Sequence, residues 1–130
     1  MTELTVVTHQ PAEFIDITGD VQRVVSDTGI KDGLCTVFVS HTTAGITIQE
    51  NADPDVVTDM LYALDKAVPL CDSHYRHAEG NTAAHVKASL LGSSVNVLMK
   101  SGRLQLGTWQ AIYFCEFDGP RNRQVWVTIN

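Results

Sequence analysis

Two tight turns late in the chain limit its topology more than any other feature. Ser94-Val-Asn-Val-Leu-Met99 and Arg103-Leu-Gln-Leu106 flank Lys100-Ser-Gly102, and Asp118-Gly-Pro-Arg121 separates the apolar run Trp109 to Phe117 from Arg123 to Ile129. Strands joined by so few residues run antiparallel, because a parallel return needs a crossover of about a dozen residues or more. Gly102 and the Gly119-Pro120 pair supply the backbone geometry that such turns demand. The last third is therefore expected to be an antiparallel meander.

Upstream, Leu34-Cys-Thr-Val-Phe-Val-Ser40 has few polar interruptions, the pattern of a central strand buried on both faces. Glu3 to Thr8 and Glu13 to Ile17 lie either side of Pro11 and read as strands paired in a hairpin, and Gly45 to Glu50 reads as a short strand. Thr18 is placed to cap a short helix with Val21, Val24 and Val25 on one stripe, ending near Gly29. Asp53 followed by Pro54 is a helix start, and Val57, Met60, Leu61, Leu64 and Val68 recur at helical spacing up to Pro69. Asn81 is expected to cap a third helix running to Gly92. The sum is an α+β fold, one compact domain over residues 1–130 in which an antiparallel-rich β-sheet packs with helices.

Charge removes one class of partner. Fifteen acidic against nine basic residues leave a formal charge of −6, whereas a nucleic-acid binder needs a basic face to displace counterions. No apolar run approaches the ~20 residues that span a bilayer, and Met1-Thr2-Glu3 opens no targeting signal, so a cytoplasmic protein is expected. Cys35, Cys71 and Cys115 are widely spaced and form no Cys-x-x-Cys pair. The first and last fall in apolar runs and read as small buried hydrophobes.

The residues that carry chemistry converge on His77-Ala-Glu-Gly-Asn-Thr-Ala-Ala-His85. His77-Ala-Glu79 matches half of a zinc deaminase signature, but the Pro-Cys-x-x-Cys half is missing. His41 stands at the end of a strand, His77 on a loop and His85 at a helix start, so a shared site requires the loop to fold back. Three imidazoles on one zinc would leave an open position, the arrangement of a catalytic site. On spacing alone, three separate surface or hydrogen-bonded histidines are the simpler account. His9 and His74 read as solvated.

A second cluster surrounds the late turn: Glu116, Asp118, Arg121 and Arg123, with Lys100 and Arg103 on the preceding hairpin. Arginine forks match phosphate and carboxylate oxygens, and Glu50, Asp53 and Asp118 are oxygen donors suited to Mg²⁺. Each also has an ordinary use, Asp53 as a cap and Asp118 as a turn former. Gly107 interrupts a strand-like run and suggests a bulge, and Trp109 is equally a core residue or a stacking platform.

SHTTAGITIQENADPDV, HAEGNTAAHVKASLLGSS and GRLQLGTWQAIYFCEFDGPR, in that order and spacing, resemble the YjbQ family, also called UPF0047 and often labelled secondary thiamine-phosphate synthase. The resemblance runs from Phe14 to Ile129; Leu98 departs from it, standing where the family often has proline. It implies a homotrimer and a metal pocket with His41, His77 and His85 as ligands of a divalent metal, zinc first, with Mg²⁺ an alternative beside a diphosphate substrate. Glu50, Asn81, Glu116 and Arg121 are the pocket residues it implies. The implied reaction joins hydroxymethylpyrimidine diphosphate to thiazole phosphate with release of diphosphate. A metal-dependent hydrolase of a small phosphorylated or acylated metabolite, and a non-catalytic metal- or ligand-binding protein, would use the same pocket.

Overall fold

A computed structural model describes all 130 residues. In chain order the elements are β1 (Thr2–Val7), β2 (Glu13–Asp16), α1 (Thr18–Thr28), β3 (Gly33–Val39), β4 (Ala44–Glu50), α2 (Pro54–Ala67), α3 (Thr82–Leu91), β5 (Ser94–Lys100), β6 (Arg103–Leu104), β7 (Gln110–Glu116) and β8 (Asn122–Ile129). The strands form two sheets, ordered β1-β8-β3-β5-β6 and β2-β7-β4, and every pairing is antiparallel.

The main core lies between the sheets. Period-two alternation sends Val37 and Val39 of β3, Val97 and Met99 of β5, and Val125 and Val127 of β8 inward, where they join Ile46 of β4 and Ile112 and Phe114 of β7. Helix α1 adds Val21, Val24 and Val25 to the same cluster. The other face of β7 is covered as well: Ala111, Tyr113 and Cys115 pack with Ala84 and Ala88 of α3, and Val57 and Leu64 of α2 lie at the margin. Burying a side chain such as Phe114 removes it from water at a gain of about 1.5–3 kcal/mol.

The strand buried on both faces is therefore β7, in which every residue from Ala111 to Glu116 is buried. Strand β3 does hold the centre of the larger sheet, but only one of its faces is covered, and Phe38 on the other is 43% exposed. Its scarcity of polar residues reflects Leu34 and Phe38 on the outer face beside Thr36, not a second packed layer.

The last third is not a single meander. The hairpin of β5 and β6 forms, with positive φ at Ser101 (52°) and Gly102 (78°), but the turn at Asp118–Arg121 carries the chain from β7 in one sheet to β8 in the other. A tight turn dictates reversal only; the two apolar inner faces, which meet across the core, dictate that these strands lie in different sheets. The same logic separates β1 from β2, which pair with β8 and β7 instead of with each other.

Helix α2 starts as expected, Asp53 Oδ1 accepting the Asp55 N–H at 2.9 Å, although none of its residues is fully buried. Thr18 is the first residue of α1 and not its cap; its hydroxyl accepts the Ile112 N–H at 2.8 Å, tying the helix to β7. Gly107 lies in a turn closed by Gln110, whose side chain accepts the Gly107 N–H, and Trp109 is 62% exposed. Leu98 sits in regular β5, opposite Leu34. No helix is long and apolar enough to cross a membrane.

Candidate functional site

Helix α3 lies against β4, and Gly45 permits the approach, since a Cβ there would stand 2.9 Å from the Gly92 carbonyl oxygen and 3.1 Å from Leu91 Cβ. Ala83, Ala84 and Ala88 give the helix a thin inner face, so its first turn comes close to the loop that follows β3. That puts His85 opposite His41, Thr42 and Thr43. The loop before α3 does fold back: Gly80, at φ 70°, donates its N–H to the His77 carbonyl at 3.2 Å. The rings of His77 and His85 consequently meet edge to face, 5.4 Å between centroids.

The second wall comes from the turn between β7 and β8. Arg121 Nη2 donates to Asp118 Oδ2 at 3.0 Å and its Nε to the Asp118 carbonyl at 2.9 Å. Asn81 Nδ2 donates to the same Asp118 oxygen at 2.8 Å. Asn81 occupies the cap position of α3, yet its side chain caps nothing; it clasps the β7–β8 turn, and its Oδ1 is buried without a partner. A cleft of about 220 Å³ is lined by Thr42, Thr43, His77, Glu79, Asn81, His85, Asp118 and Arg121. A larger one of about 490 Å³, lined by His41, Thr42, His85, Ser89 and Ser93 among others, shares His85 and Thr42 with it. His85 is the pivot of the site.

Beneath the turn lies a buried ion pair. Glu116 is 0% and Arg123 2% exposed, and their side chains bond through Arg123 Nε to Glu116 Oε1 at 2.9 Å and through Arg123 Nη2 to Oε2. Thr8 Oγ1 donates to Glu116 Oε1 at 2.7 Å, and the backbone N–H groups of Phe117 and Asp118 donate to Oε2 at 3.1 and 3.0 Å. Burial alone would push this carboxyl up, but the bonds from Arg123, Thr8 and the Asp118 backbone, with the Arg123 charge, outweigh it and hold it below the usual range. Arg123 Nη2 also reaches Thr43 Oγ1 at 2.9 Å, so one guanidinium fixes both walls.

Of the expected site residues, two stand away from the cleft and a third has one ring nitrogen engaged. Glu116 is saturated by protein donors and holds the scaffold instead of facing a ligand. Glu50 lies six residues along β4 from Ala44, roughly 20 Å at ~3.3 Å per residue, and is remote from the imidazoles. His41 Nε2 accepts the Gln124 N–H at 2.8 Å, so that lone pair is unavailable to a metal. No group of three or more His, Cys, Asp and Glu side chains is gathered closely enough to hold a metal ion, which also separates Glu50, Asp53 and Asp118 as a Mg²⁺ set. His77, His85, Asn81 and Arg121 are brought together. Imidazole is a donor type that zinc takes, and the pair His77 and His85 is the part of the expected ligand set that the fold brings together.

Sequence reasoning missed the parts played by Thr8, Thr43 and Arg123. Arg123 was within reach, because counting inward by twos from Val127 and Val125 places it in the core, where a guanidinium needs a carboxylate. Cys35 and Cys115 are buried as expected, and burial raises both thiols, Cys35 to about 11. His9 and His74 are exposed.

These features describe a two-sheet α+β domain with an imidazole-rich polar cleft between α3 and the β7–β8 turn. The family described as "UPF0047 protein YjbQ-like" matches residues 2–130, and the chain belongs to it. The UPF0047 protein YugU of Bacillus subtilis is 52% identical over 124 residues, covering 95% of this chain and 94% of its own length. UPF0047 protein MJ1081 of Methanocaldococcus jannaschii is 46% identical over 94% of this chain and 88% of its own. The crystal structure of a YjbQ/UPF0047 protein from Clostridium acetobutylicum superposes with a TM-score of 0.97 at 53% identity, covering 100% of both chains. That of TT1486 from Thermus thermophilus gives 0.94 at 42% identity, again over 100% of both.

Proposed function

We propose that this protein is an enzyme acting on a small phosphorylated metabolite, and that its reaction is the thiamine-phosphate synthase chemistry implied by the family resemblance. The observation that carries the reading is the His77–His85 pair, 5.4 Å apart, in a cleft system that also holds Arg121. Displacing diphosphate from the pyrimidine asks chiefly for charge stabilisation on the leaving oxygens. Arg121, whose Nε and Nη2 donate to Asp118, brings a guanidinium charge to those oxygens, and Thr42 and Thr43 line the same cleft from the facing wall. His77 and His85 would hold a divalent ion, zinc by donor type, and the ion would supply further neutralisation of phosphoryl charge.

The same imidazole pair favours a second reading, metal-assisted hydrolysis of a phosphorylated or acylated metabolite, since two protein ligands leave open positions on the ion. A pocket that binds without turnover is the third. A homotrimer, which the family resemblance implies, is compatible with all three readings and is checked by analytical ultracentrifugation.

The test is thiamine phosphate formation from the pyrimidine diphosphate and thiazole phosphate by metal-replete protein, run beside His85→Ala. Product that disappears with His85 supports the proposal. Folded protein that forms none, or equal product from both proteins, contradicts it; phosphate release from other metabolites that is lost on chelation would favour hydrolysis.

A further inference from the structure

His41 has one ring nitrogen committed and one free. Its Nε2 accepts the Gln124 N–H at 2.8 Å, and a nitrogen that accepts cannot carry the proton. The neutral ring must then be protonated at Nδ1, which has no partner within the protein, while His41 itself lines the cleft of about 490 Å³ beside His85, Ser89 and Ser93. Burial and the Arg123 and Arg121 guanidiniums lower the affinity of this ring for a second proton, outweighing the opposite pull of Glu116 and of the Gln124 backbone contact. The neighbour of Gln124, Arg123, holds Thr43 through Nη2, so consecutive residues of β8 pin both ends of the His41–Thr43 segment.

We propose that His41 is a neutral hydrogen-bond donor whose Nδ1–H binds a phosphoryl oxygen of the ligand, and not a metal ligand. The inference rests on the phosphorylated-metabolite reading of the cleft for its ligand, but the tautomer it requires does not. An imidazole in this state lends a donor without adding a fixed charge, and it stands ready oriented because its other nitrogen is anchored to the sheet. The His77–His85 pair lines the smaller cleft and the oxygen donor the larger one, with His85 common to both.

Two-dimensional ¹⁵N–¹H correlation spectra of the imidazole rings read the tautomer directly, and titration with inorganic phosphate reads the contact. The Nδ1–H tautomer is expected in the protein as purified, with its resonance shifting on phosphate addition. His41→Gln retains an acceptor near the Nε2 position, keeping the bond to Gln124, but removes the Nδ1 donor. It is expected to fold normally and to lose about tenfold or more in phosphate affinity. An Nε2–H tautomer, or equal phosphate affinity in folded His41→Gln, overturns the proposal alone. Wild-type protein that binds no phosphate overturns the ligand role of His41 together with the phosphorylated-metabolite reading.

Discussion

The Arg123 guanidinium meets the Glu116 carboxylate where neither side chain reaches solvent, at 2% and 0% exposure. Through that pair Thr8, Thr43 and the backbone of the β7–β8 turn share one network, so the walls of the cleft are set from the core outward. Removing one partner leaves the other charge buried and alone. Arg123→Ala is expected to cost about 3–5 kcal/mol in urea denaturation, and replacing both residues by apolar ones of similar volume should cost less.

The same carboxylate sets an acid limit on stability. Its folded pKa lies below the ordinary value of 4.5, so the unfolded chain takes up the proton first as pH falls. The stability it contributes is present above the unfolded value and is lost as pH falls through the folded one. Denaturation midpoints should decline on acidification below about pH 4.5 in wild type, and Glu116→Gln should flatten that decline while lowering stability at neutral pH.

Core and outer face should respond differently to truncation. Phe114, fully buried between the sheets, is expected to lose about 3–5 kcal/mol as Phe114→Ala, whereas Phe38→Ala on the open face of β3 should lose well under half of that. Thermal unfolding of the two variants checks the order.

Gly45→Ala places a methyl group against the Gly92 carbonyl and Leu91, which must move to admit it. A loss of about 1–3 kcal/mol is expected, together with shifted His85 resonances in NMR spectra, because α3 carries His85.

Asp118 competes with any anionic ligand for Arg121. The pair is partly exposed and contributes only about 0–1 kcal/mol to folding. Asp118→Asn should therefore leave stability nearly unchanged and raise the affinity for inorganic phosphate several-fold by calorimetry.

Local signals were legible in the sequence wherever the physics is local. Asp53 with Pro54, Gly29 after α1, Gly92 after α3 and Ser101-Gly102 between β5 and β6 all stand where backbone geometry demands them. Beyond the β5–β6 hairpin, partnership between strands was not legible, because Asp118–Arg121 and the Pro11 segment specify reversal but not the receiving sheet. Nor could spacing show that His41 turns its Nε2 to Gln124, that Asn81 clasps Asp118 instead of capping α3, or that Glu50 ends at the far end of β4. Each depends on contacts between residues distant in the chain. The meeting of His77 and His85 was readable only as a condition, that the loop fold back.

The most direct test of the account is the zinc content of metal-replete protein measured by plasma mass spectrometry for wild type, His77→Ala, His85→Ala and His41→Gln. Bound zinc in wild type and His41→Gln, lost in both alanine variants while they remain folded, is the predicted result. Zinc retained without His77 or His85, or absent from wild-type protein, would contradict the assignment of that pair as the centre of the site.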